Sequence, residues 1–120
     1  MSILEIIKMI EQRGITTKIY PLAFPASSPD EAMIVETSQS FTNRGSVYEG
    51  TITITVKATH PSRAEQLSKD LNTSLHLLTD LDVGDMQIIM IKSLNPIPAF
   101  LGKGKGNEFY YMNNFQVLFS

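Results

Sequence analysis

The stretch from Tyr48 to Thr59, YEGTITITVKAT, constrains the fold more than any other part of this chain. Gly50, Ile52, Ile54, Val56 and Ala58 alternate with Glu49, Thr51, Thr53, Thr55 and Lys57. A period of two belongs to a β-strand, and it sends the aliphatic set to one face and the threonines to the other. An apolar face opposite a polar one predicts an antiparallel sheet covered on a single side. The next segment supplies the cover. Within HPSRAEQLSKDLNTSLHLLTDL, the residues Ala64, Leu67, Leu71, Leu75 and Leu78 recur at spacings of three and four, the stripe of an amphipathic helix. Ser62 and Glu65 have the spacing of a capping box at its start, behind Pro61.

The remaining elements are read around this strand and helix. Ile3, Ile6, Ile7 and Ile10 predict a first helix over Ile3 to Arg13, opened by Ser2 and Glu5 and stopped by Gly14. TTKIYPLAFP reads as an edge strand, because Pro21 and Pro25 cannot donate to a ladder. AMIVETS (Ala32 to Ser38) reads as a strand, and QSFTNRGS as a hairpin tip turning at Asn43, Arg44 and Gly45. DLDVGD reads as the turn that ends the long helix, MQIIMIKSL as a strand apolar on both sides, and NPIPAFLGKGKGN as a connection. In the last strand, EFYYMNNFQVLFS, Phe109, Tyr111, Phe115, Val117 and Phe119 share a face that Asn113 interrupts. The expected order is helix, three strands, helix, two strands. That predicts one α+β domain over residues 1–120: a four- to five-stranded, mostly antiparallel sheet with two helices packed on one face.

Composition narrows the chemistry. There is no cysteine among the 120 residues, which removes disulfides, thiolate metal ligands and thiol nucleophiles and fits a reducing cytosol. A formal net charge of −2 argues against a domain whose main task is gripping nucleic acid. No apolar run reaches the ~18–20 residues that would span a bilayer, and the N-terminal segment lacks a signal peptide's apolar core, so no membrane partner is expected.

Each candidate site has a plainer reading beside it. Gly102, Gly104 and Gly106 alternate with Lys103 and Lys105, yet a strand follows them where a phosphate loop needs a helix and a Ser or Thr. A solvated loop whose lysines discourage edge pairing is the simpler account. Phe109, Tyr110 and Tyr111 could stack on RNA bases, but an RNA-recognition strand interleaves its glycines with the aromatics, and here the glycines precede them. His60 and His76 flank the long helix without a clustered metal set, and Asp80, Asp82 and Asp85 lack calcium-loop spacing. No nucleophile elbow is present. The expectation is a protein without catalytic residues, metal or cofactor.

What stands out is apolar strand surface in excess of what two helices can cover. MQIIMIKSL is apolar both ways, and the last strand adds Tyr110, Met112 and Leu118 on its second face. Unless loops such as PIPAFL fold over it, that surface predicts contact with other subunits.

Nearly the whole chain, from Leu4 to Phe119, resembles small minor capsid and tail-terminator proteins of long-tailed bacteriophages. The resemblance lies in the capped first helix, the proline-broken strand, SVYEGTITITVKA, AEQLSKDLNTSLHLL, and above all the ending NPIPAFLGKGKGNEFYYMNNFQVLF. It implies an α/β domain that forms a homo-hexameric ring at the head-proximal end of the tail. Such a ring stops tail-tube polymerisation, meets a neck or head-completion protein, and passes DNA through its channel with only transient, non-specific contact. It implies a place in the virion, reached through the host cytoplasm, and no cofactor. Lys103 and Lys105 depart from the acidic or mixed lumen of such rings, so their loop is expected on the outside or at a docking face. The expected subunit and partner contacts are Phe41, Asn43, Arg44, Lys103, Lys105, Tyr110 and Met112. Another head-tail connector, or a ferredoxin-like RNA- or ligand-binding module, are the alternatives.

Overall fold

The alternating strand and its leucine-striped helix form as predicted, and the rest of the chain builds outward from them. A computed structural model describes residues 3–37, 42–45 and 47–120. Its elements are α1 (Ile3–Glu11), β1 (Lys18–Pro21), β2 (Ala32–Thr37), β3 (Thr42–Arg44), β4 (Val47–Ala58), α2 (Pro61–Leu75), β5 (Leu78–Val83), β6 (Met86–Ser93), β7 (Ala99–Lys103) and β8 (Phe109–Phe119). One mixed sheet runs β1-β2-β4-β8-β6-β5, with β3 paired to β4 and β7 paired to β8. Every pairing is antiparallel except β1 with β2.

The α+β class and the two helices on one face hold. The strand count does not: among the described residues eight strands stand where four or five were expected. Three were read as turns or connections, and each hides its pattern for a physical reason. β3 has only three residues. β5 is an edge strand in which exposed Asp80 and Asp82 alternate with Leu81 and Val83 over only four residues, and the aspartates beside Gly84 give it the composition of a turn. β7 follows two prolines and ends in the glycine-lysine run, which has the composition of a loop.

β4 and β8 pair along their whole length, from Tyr48 opposite Phe119 to Ala58 opposite Phe109. Their inner faces carry Ile52, Ile54, Val56, Phe115 and Val117, all but inaccessible to solvent, and meet Leu67, Leu71 and Leu75 of α2. Ile6, Ile7, Met9 and Ile10 bury the inner stripe of α1 in the same core. That helix stops at Glu11, two residues earlier than expected, and Gly14 takes the left-handed conformation (φ +86°) that a side chain would resist.

The ends of α2 also differ from expectation. Ser62 and Glu65 make no capping box: His60 is the N-cap, without a side-chain cap bond, and Pro61 occupies the first turn. Glu65 instead accepts a hydrogen bond from Lys69 at 2.7 Å and a longer one from the Tyr111 hydroxyl at 3.4 Å. The Lys69 ammonium, by hydrogen bond and charge, holds the Glu65 carboxyl below the usual carboxylate range. The helix ends at Leu75, and Leu78, expected in its stripe, begins β5. Leu77 turns the chain in a left-handed conformation (φ +61°) with no glycine to announce it. Its N–H donates to Ile91 O at 2.7 Å, and the Ser93 N–H donates to His76 Nδ1 at 3.0 Å. Those bonds to β6 hold a backbone shape that leucine alone disfavours by roughly 1–2 kcal/mol.

The sheet's outer face is less bare than the sequence suggests. The segment between β1 and β2 crosses one end of it. Phe24 lies tilted against Tyr110, with ring centroids 6.0 Å apart. Lys57, on the threonine face of β4, is buried, donates to Ser28 Oγ at 2.7 Å, and sits 4.8 Å from the Phe24 ring centre. Farther along, Thr53 donates to Asn114 Oδ1 at 2.7 Å, and Gln116 pairs with Glu49. The outer face is thus closed by a loop at one end and by cross-strand polar pairs at the other.

Candidate functional site

The outer-strand register shows where apolar surface remains. β6 pairs with β8 from Phe119 to Phe115, and β7 pairs with it from Met112 to Phe109. The two strands therefore lie end to end along the same side of β8, interrupted by Leu94–Pro98. Leu94 still donates to Asn114 O at 2.8 Å. Past that point the ladder is maintained by a side chain. Asn95 Oδ1 accepts the Asn114 N–H at 2.6 Å, and Asn95 Nδ2 donates to Met112 O at 2.9 Å. One amide so replaces the backbone groups that the interruption removes. From the helix side, Asn72 Nδ2 donates to the carbonyls of Asn95 (3.0 Å) and Pro96 (3.3 Å).

With the backbone held in this way, the segment presents its apolar side chains to solvent. Leu94, Ile97, Phe100 and Leu101 are 51%, 81%, 55% and 53% exposed. Four large apolar residues exposed within eight positions are a patch, not the scattered leucine of an ordinary surface. PIPAFL, considered as a cover for the sheet, is itself the uncovered surface. Phe100 is held on one side by Tyr111, with ring centroids 5.3 Å apart.

The expected contact residues divide around this patch. Lys103 ends β7, its ammonium 5.8 Å from the Phe109 ring centre, and Lys105 stands exposed in the turn beyond. That turn is closed by the Gly104 N–H donating to Glu108 O at 2.7 Å and the Gly106 N–H donating to Glu108 Oε2 at 3.1 Å. Tyr110 and Met112 are half-buried on the outer face of β8. Burial, with the nearby Glu108 carboxylate adding to it, pushes the Tyr110 phenol above the ordinary tyrosine value. Asn43 and Arg44 lie in β3, opposite Tyr48 and Val47 at the far end of β4. They are not brought to the lysines. Phe41, like the Ser2 of the first helix's cap, lies outside the described residues. Leu94, Ile97, Phe100 and Leu101 were missed because their segment carries two prolines and reads as covering loop. The density of apolar residues around those prolines was the available signal.

A cleft of about 470 Å³ opens between α2 and the interruption, lined by Lys69, Asn72, Thr73, His76, Ser93 and Pro96. Its polar groups are largely spent within the fold: Lys69 on Glu65, Asn72 on the two carbonyls, and His76 Nδ1 on Ser93. Among the described residues no group of three or more His, Asp or Glu is placed to hold a metal ion.

No family model matches the sequence, and a search of curated proteins finds no match. The solved structures give a likeness of fold. A chain from the virion of a native gene transfer agent particle superposes with a TM-score of 0.65 at 11% identity, over 90% of this chain and 81% of that one. The α+β architecture described above is therefore shared with a virion component.

Proposed function

We propose that this chain is a structural protein of a tailed phage or phage-like particle, acting as the minor capsid or tail-terminator component at the head-proximal end of the tail. In this reading copies of the chain close into a ring, end the growth of the tail tube, and present a face to a neck or head-completion protein, while DNA passes through without specific grip. The role is architectural and uses no cofactor or catalytic residue. The observation that carries it is the likeness of fold to a virion chain over 90% of this chain and 81% of that one. The exposed apolar edge at Leu94–Leu101 supports it as well, because an assembly part needs an unsatisfied surface and this one has it. An RNA-binding module is less well served by this geometry. Tyr111 packs toward Glu65 of α2 and Tyr110 lies against Phe24, so these two do not form a shared open platform for bases to stack on.

The test is direct. Purified protein mixed with polymerising tail-tube protein should halt elongation and appear by electron microscopy as a distinct cap at one end of each tube. Tubes of unregulated length without caps, together with salt-sensitive binding of single-stranded RNA, would overturn the reading in favour of a nucleic-acid module.

A further inference from the structure

The sheet has a vacant position. Beside one half of β8, β6 is itself covered by β5. Beside the other half stands β7, and among the described residues no strand pairs with its far side. A strand added there would lie about 4.8 Å from β7, beside the exposed Ile97, Phe100 and Leu101. Free sheet edges normally carry devices against pairing, and the other outer edges among the described residues have them, β3 by being only three residues long. β1 carries Lys18 and Pro21. β5 carries Asp80 and Asp82, with Asp80 in a left-handed conformation (φ +56°) that breaks its regularity. β7 has its bulge at Phe100–Gly102 and its charge, Lys103, only at its end, and the stretch from Ala99 to Leu101 is uncharged.

Charge indicates what fills the gap. Among the described residues the ion pairs are Arg63–Glu31 and Lys69–Glu65, and neither involves a charge near this edge. Lys103 and Lys105 stand unpaired at the end of β7, by the start of β8. Asp80, Asp82 and Asp85 stand unpaired on β5 and its turn into β6, where Gln87 bonds with Ser120 past the end of β8. The basic and acidic sets are thus separated by roughly the length of β8, about 35 Å at 3.4 Å per residue. Opposite charges at opposite ends suit a head-to-tail contact between copies, the kind that closes rings.

We propose that the open β7 edge, with Ile97, Phe100 and Leu101 flanked by Lys103 and Lys105, is the docking site for the acidic β5–β6 hairpin of a second copy of this chain. This rests on the assembly reading above and specifies its subunit contact. The apolar residues supply the desolvated centre, and the lysine–aspartate pairs set orientation and exclude docking of like edges.

The experiment uses the full chain and its charge-reversed forms, K103E/K105E and D82K/D85K, with circular dichroism and thermal unfolding to establish that each folds. Self-association is read by analytical ultracentrifugation, and tube capping by electron microscopy. Each reversal should weaken self-association by about tenfold or more. Mixing the two reversed proteins should restore assembly as alternating complexes, because each altered edge then meets an oppositely charged partner. If wild type assembles and both reversed proteins assemble as well, or if mixing restores nothing, this contact is rejected while the ring reading stands. If wild type stays monomeric and leaves tubes uncapped, both fail together.

Discussion

Two asparagines hold much of the last strand in place. Asn95 stands in for missing backbone at the interruption between β6 and β7, accepting from Asn114 N–H and donating to Met112 O. Asn95→Ala leaves both groups without that partner. It should cost about 2–3 kcal/mol, the penalty for orphaning part-buried backbone groups, seen as a lower midpoint in urea unfolding. Asn95→Asp keeps the acceptor but sets a carboxylate against the Met112 carbonyl, so it should recover only part of the loss. Asn113 is a different case. It is fully buried on the apolar face of β8, donates to Ser68 Oγ on α2, and leaves its own Oδ1 without a partner. Removing one side of this pair, with Ser68→Ala, should destabilise by about 1–3 kcal/mol because the Asn113 amide is then stranded. Replacing both, with Asn113→Val and Ser68→Ala, should be neutral or stabilising, since an apolar pair needs no hydrogen bond there. Urea unfolding of the two single variants and the double variant closes the cycle. A double variant less stable than wild type would show that the polar pair contributes net stability.

At the scale of elements, what could be read from the sequence depended on whether an element carried its own period. β4, β8 and α2 did, through Ile52–Ala58, Phe109–Phe119 and the leucine stripe, and they form the centre of the fold. β5 and β7 did not. Edge strands are addressed from one side only, so aspartates are tolerated in one and a glycine-lysine run in the other, and both looked like connections. The end of α2 was hidden because Leu77 makes the turn through bonds to β6, contacts that no local pattern encodes. The cover over the outer face, Phe24 on Tyr110, was invisible for the same reason. That cover yields a measurable consequence. Burial raises the Tyr110 phenol above the ordinary tyrosine value, so the native state keeps a proton that the unfolded chain releases near pH 10. Its contribution to stability is complete below that pH and is lost as pH climbs through the folded value. In an alkaline titration followed by phenolate absorbance, Tyr110 should ionise late, with Tyr110→Phe identifying its signal. Phe24→Ala should bring that signal down toward the ordinary tyrosine range. An unmoved midpoint in Phe24→Ala would mean that Phe24 is not what covers the phenol.

At the scale of the whole molecule, stability and assembly fall on different residues, so they can be separated by mutation. The core lies between the helices and the inner face of β4 and β8, while Ile97 and Phe100 contribute mostly to outward surface. Replacing Ile97 with Ser removes a side chain that is 81% exposed and should change folding stability by no more than about 0.5 kcal/mol. Phe100→Ser also removes the contact with Tyr111 and should cost about 0.5–1.5 kcal/mol. Neither change unfolds a domain of this size. If the β7 edge is an assembly surface, the same substitutions should cost far more in association, because an aromatic anchor at the centre of an interface is commonly worth ~2 kcal/mol or more. The double variant should then fold normally, by circular dichroism and thermal unfolding, yet fail to cap tail tubes at concentrations where wild type caps them. A double variant that caps tubes as well as wild type would remove this edge from the assembly and return attention to the β3–β4 hairpin at the molecule's other end, where Arg44 lies.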